Sequence, residues 1–138
     1  MGAEPNTCSG TPLAAKLGLR PGVRVAWPQA PEGFEALLGD LPAGVQVRRT
    51  TRGSLDLVVC FVTRRAQLAA RLPGLREAIR PDGMCWAAWP KRTSGVVTDV
   101  TEDVVREVAL PLGLVDVKVC AIDATWSGLK LVIRRELR

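Results

Sequence analysis

The chain has 138 residues, about one average domain, a size at which folding buries roughly two-thirds of the unfolded chain's surface. It is 47% hydrophobic and 24% charged, too apolar for a disordered chain, and 19 basic against 14 acidic residues leave a net charge of +5. With no His and no Tyr, imidazole is excluded as general base and as metal ligand.

No run approaches the roughly 20 apolar residues of a membrane span, and the longest, over residues 57–62, suits a buried strand. Residues 1–7 lack the basic head and apolar centre of a signal peptide, so the expected compartment is the cytoplasm. Of the four cysteines, Cys60, Cys85 and Cys120 fall inside apolar runs, without the paired spacing of a zinc or redox motif. They are expected to be buried free thiols, with no metal, leaving Cys8 as the reactive one.

Residues 1–10 read as a flexible leader and residues 11–138 as a single domain. Thr11 and Pro12 have the character of an N-cap and a first helical residue, opening a short helix over 13–17 that Gly18 closes. Residues 23–27 read as a strand stopped by Pro28, residues 32–38 as a short helix, and residues 45–49 as an alternating strand nearer a sheet edge. Residues 55–62 are nearly all apolar, as a parallel strand covered on both faces must be.

Leu68, Leu72, Leu75 and Ile79 form one apolar helical stripe, which Pro73 and Gly74 are expected to break. Pro81, Asp82 and Gly83 turn the chain into a second apolar strand over 84–89. After a loop, Asp99 or Thr101 caps a helix that stops before Pro111, Asp99 and Glu102 having capping-box spacing. Residues 115–122 and 129–135 form a hairpin around a loop over 123–128.

Strands alternating with helices and ending in a hairpin predict an α/β fold, a Rossmann-like three-layer α/β/α sandwich. Its six-stranded sheet is mostly parallel, with the C-terminal hairpin strand antiparallel. The strands starting at Val23, Leu55 and Met84 are placed at the centre, and those starting at Val45 and Val115 at the edges.

The order of these elements resembles the class I S-adenosylmethionine-dependent methyltransferase fold, shortened by one strand–helix unit. Residues 17–25 look like the approach to that fold's first strand, residues 55–59 like its fourth, and residues 75–83 like the helix and turn before its fifth. The phrases Trp89-Pro90-Lys91 and Trp126-Ser127-Gly128 resemble a bacterial family catalogued as domain of unknown function 3052. The methyltransferase resemblance implies a Gly-rich cofactor loop after the first strand and an acid at the end of the second. Here Pro28 and Pro31 remove two N–H donors from that loop, and Arg48-Arg49 stands where the acid is expected. These departures imply a degenerate cofactor site.

Open parallel sheets bind ligands beyond the carboxyl ends of their strands. That edge gathers Trp27, Gln29, Glu32, Arg64, Trp89, Lys91 and Ser94, joined by Asp123, Trp126 and Ser127 from the hairpin loop. An aromatic cleft with basic lips would suit a nucleotide or another flat anion. The blander reading is that Trp27 and Trp89 seal the core and that Asp123 braces the hairpin. No catalytic residue is assigned. The leading functional expectation is a non-catalytic module binding a small anionic or nucleotide-like ligand or a protein partner, with no cofactor. The alternative is a small-molecule methyltransferase using S-adenosylmethionine, and the third is a nucleic-acid-binding accessory domain.

Overall fold

The longest apolar run in the chain becomes the middle of the sheet. In β3 (Leu55–Phe61) every residue but Asp56 is buried, because helices cover both of its faces. Parallel neighbours lie on either side, β1 (Arg24–Ala26) and β4 (Ile79–Pro90). A computed structural model describes residues 12–138; the expected leader and the expected cap Thr11 lie outside the described residues.

The six strands run in the order β2-β1-β3-β4-β6-β5. β2 (Gln46–Val47) and β5 (Leu114–Ala121) form the two edges, and β6 (Trp126–Ile133) is antiparallel to both β4 and β5. The expected α/β architecture and the assignment of central and edge strands therefore hold. β2 is shorter than expected, with both residues exposed, since it has a partner on one side only.

Two helices pack on each face. On one, α1 (Leu13–Leu17) and α2 (Phe34–Leu38) bury Leu17, Phe34 and Leu38 against Val25, Leu57, Val59 and Trp86. On the other, α3 (Arg65–Ala78) and α4 (Glu102–Ala109) bury Leu68, Leu72, Leu75 and Val105 against Val58, Cys60 and Cys85. Trp86 is fully buried and its indole N–H donates to Leu17 O at 2.9 Å, tying β4 to the end of α1. Gly18 ends α1 at φ +99°, where a Cβ would stand 2.9 Å from Met84 Sδ.

Four local expectations are corrected. α3 runs unbroken through Pro73. Pro73 and Gly74 both lie on its exposed face, so water can satisfy the carbonyl that loses its partner while the leucine stripe stays in register. Residues 81–83 form a bulge inside β4: Leu55 opposes Ile79, yet Leu57 already opposes Met84. Gly83 sits so close to β3 that a Cβ there would come 3.0 Å from Leu55 O. Pro12 occupies the N-cap of α1 instead of its first helical position. Finally, Thr101 alone caps α4, accepting from Val104 N–H at 3.2 Å. The Asp99 carboxylate instead accepts from Arg65 N–H at 2.6 Å, so it serves the start of α3.

Among the described residues no helix is long and apolar enough to cross a membrane, and no cluster of three metal-binding side chains occurs.

Candidate functional site

β1, β2, β3 and β4 point their carboxyl ends to one edge of the sheet, and the hairpin between β5 and β6 opens there too. The segment after β1 folds into two turns, in which Ala30 N–H donates to Trp27 O and Phe34 N–H to Pro31 O, both at 3.1 Å. Gly33 then enters α2 at φ +90°, a conformation that favours glycine. Two of the loop's amides are thus spent on its own carbonyls.

Trp27 is 6% exposed, and its indole N–H donates to Glu35 Oε2 at 2.8 Å. Its ring meets Phe34 edge-on, Phe34 meets Phe61, and Phe61 meets Trp126, with centroids 5.3, 5.0 and 5.1 Å apart. This chain of edge-to-face contacts, each worth about 1 kcal/mol beyond area burial, fixes the loop after β1 against β3 and the hairpin.

Several grooves open along the edge, one of them, about 440 Å³, over the loop after β1 and lined by Trp27, Glu32 and Glu35; three others bear on the site. The first, about 530 Å³, lies between the ends of β1 and β2 and is lined by Trp27, Pro28, Glu35, Val47, Arg48 and Arg49. The second, about 370 Å³, adjoins it through Pro28 and Arg49 and includes Gln29, Arg52 and Arg71. The third, about 340 Å³, is floored by Phe34, Phe61 and Trp126, with Glu32 and Asp123 among its lining residues.

The expected site residues are therefore divided. Trp27 lines the first groove, Gln29 the second, and Glu32, Asp123 and Trp126 the third. Trp89 does not join them: successive residues of a strand point to opposite faces, and Trp89 is buried among the α3–α4 side chains. One aromatic cleft shared by Trp27, Trp89 and Trp126 is accordingly not formed. Ser127 pairs with Trp89 and Ala121 within the sheet. Arg64 is the exposed N-cap residue of α3, its N–H donating to Gln67 Oε1 at 3.2 Å. Asp123 braces the hairpin, its Oδ1 accepting from the N–H groups of Thr125 and Trp126, both at 2.8 Å. Lys91 meets that hairpin through its backbone, N–H to Thr125 O at 2.7 Å, and makes no ion pair with Asp123. Ser94 donates to Lys91 O at 2.7 Å and accepts from Val96 N–H at 3.1 Å.

Two residues at the edge escaped the sequence reading, Glu35 and Arg71. Among the described residues Glu35 is the only carboxylate lining the first groove. The signal for it was the indole of Trp27, a donor that needs an acceptor once buried. Arg71 leaves the wet face of α3 to donate to Phe61 O at 3.0 Å, a contact no helical pattern announces. Burial pushes the Cys60 thiol up to about 11 against the opposing charge of Arg71, and burial raises Cys85 as well. Neither is a thiolate nucleophile near neutral pH.

No family model matches the chain, so the likeness to domain of unknown function 3052 rests on the two phrases that carry it. No curated protein matches either. Solved structures do. A possible exported protein from Bordetella parapertussis superposes with a TM-score of 0.62 at 13% identity, over 88% of this chain and 66% of that one. Magnesium protoporphyrin IX methyltransferase from Synechocystis, with bound S-adenosylmethionine, gives 0.62 at 11% identity over 88% and 74%. A putative methyltransferase from Thermoplasma acidophilum gives 0.58 at 10% identity over 91% and 75%. The chain thus spans about two-thirds of the first neighbour's length and three-quarters of the other two. At such identities the likeness is one of fold: the chain shares the α/β architecture of these structures, two of them described as a methyltransferase or putative methyltransferase.

Proposed function

We propose that the protein binds a nucleoside-type ligand in the groove between β1 and β2, and that S-adenosylmethionine is that ligand. The observation that carries the reading is Glu35, a carboxylate held at the groove by the Trp27 indole. A carboxylate so placed can accept hydrogen bonds from vicinal ribose hydroxyls, the role that Arg48-Arg49 cannot fill. Those two guanidiniums suit an anionic group, and S-adenosylmethionine offers one in the carboxylate of its amino-acid half. The lining therefore fits the ligand, with the carboxylate supplied by α2 and not by the end of β2. When bound, the ligand supplies an activated methyl group. The chain's own part is to hold the nucleoside through Glu35 and to wall it with Trp27 and Val47.

The fold comparisons favour this reading over the non-catalytic module that leads on sequence alone. The second reading, binding without methyl transfer, is favoured by polar side chains that follow β4 and β5 along the same edge. Ser94, Thr98 and Asp123 all have hydrogen bonds within the backbone scaffold, and Thr98 donates to Thr63 O at 2.6 Å. Both readings require the ligand to bind.

Thermal unfolding with S-adenosylmethionine and its demethylated product tests them. Ligand at 100 times its dissociation constant stabilises a folded domain by roughly 2.7 kcal/mol, a rise in Tm on the order of 10 °C. The expected result is a saturable rise that Glu35→Gln reduces by most of its size. No rise with either compound would refute the proposal.

A further inference from the structure

The arginines of this molecule are not treated alike. Arg65 pairs with Glu107 at 2.6 Å and Arg80 with Asp56 at 3.1 Å, while Arg106 is surrounded by Glu102, Asp103 and Asp116. Among the described residues Arg49, Arg52 and Arg71 have no ion-pair partner, yet all three line the second groove. Among the described residues no acid lines it, and Thr50 and Thr51 do. Three like charges around one concavity repel each other, a cost that an anion between them would reverse.

The fold brings them together from two places. The connection from β2 to β3 carries Arg49, Thr50, Thr51 and Arg52, and α3 contributes Arg71 across the groove. Arg71 is half-buried and anchored by its bond to Phe61 O, so one guanidinium is preorganised, and its remaining N–H groups can serve a ligand. Guanidiniums bind phosphate oxygens bidentately, and threonine hydroxyls add neutral donors.

We propose that the groove of Arg49, Arg52 and Arg71 is a phosphate site that takes the phosphoanhydride group of a small molecule. It does not rest on what fills the first groove. Because the two grooves share Pro28 and Arg49, a nucleoside diphosphate bridging them would displace S-adenosylmethionine from the first.

Calorimetric titration with pyrophosphate, adenosine 5′-diphosphate and adenosine tests the site. Pyrophosphate is expected to bind saturably, more weakly as salt is raised. Arg52→Ala, an exposed change, should weaken it about tenfold, as expected for losing a charge-assisted contact. Arg135→Ala, on the 3-10 turn after β6, should change nothing, and Glu35→Gln should leave pyrophosphate binding intact while weakening adenosine. Adenosine 5′-diphosphate binding more tightly than either part would assign the phosphate to a nucleotide; pyrophosphate binding as tightly would assign it to a free phosphoanhydride. Absence of saturable pyrophosphate binding, or equal losses in Arg52→Ala and Arg135→Ala, would overturn the site. So would tighter binding of a short DNA strand that depends on Arg135 as much as on Arg52. Loss of adenosine binding alone would count against the nucleoside groove and leave this site standing.

Discussion

Cys60 shows how burial alone sets the chemistry of a side chain. Lying in β3 beneath α3, it is 1% exposed, and desolvation of its thiolate holds the thiol near 11. The unfolded chain has the ordinary, lower value and so loses this proton first as pH rises. Between those two values the folded state binds more protons than the unfolded state, so stability falls with pH. Urea unfolding at pH 7 to 11 should show that fall, on the order of 2 kcal/mol from this group by pH 11. A flat profile above pH 9 would contradict it. In the same native state Cys60, Cys85 and Cys120, all buried, should resist a thiol reagent until the protein unfolds. Rapid labelling of any two would mean that the strands carrying them are misplaced. Their burial was legible in the sequence because each sits in an apolar run. The role of Glu35 was not, since its partner Trp27 lies eight residues back and the contact depends on how a loop folds.

At the scale of elements, apolar run length was sufficient to place β3 and β4 at the centre, because a strand covered on both faces has little room for polar residues. The local punctuation misled where tertiary packing outweighed it. Pro73 lies inside α3, where proline costs about 3 kcal/mol relative to alanine in an isolated helix. Burial of Leu68, Leu72 and Leu75 outweighs that cost and keeps the helix whole. Because Pro73 is exposed, its replacement should remove the cost without opening a cavity. Pro73→Ala is therefore expected to raise unfolding stability by about 1–3 kcal/mol, less what the freer unfolded chain gains. Calorimetry that showed the variant to be less stable would mean that α3 is bent or broken at this point. Asp99 makes the same argument at a helix end: its spacing to Glu102 suits one helix, but its carboxylate serves another that comes close only in the folded chain.

At the scale of the molecule, the sheet order and its single antiparallel strand put four strand ends and one hairpin on the same edge. That much of the site follows from topology. Its division into separate grooves follows from side-chain direction, which sends Trp89 to one face of the sheet and Trp126 to the other. The central claim is that the groove between β1 and β2 holds a nucleoside, and the indole N–H of Trp27 reports on it directly. That proton is bonded to Glu35 at the groove, whereas the Trp86 indole is bonded to Leu17 O in the core. In a proton–nitrogen NMR titration with S-adenosylhomocysteine, the Trp27 indole signal should move saturably while that of Trp86 stays in place. A Trp27 signal that does not move at millimolar ligand would contradict the account.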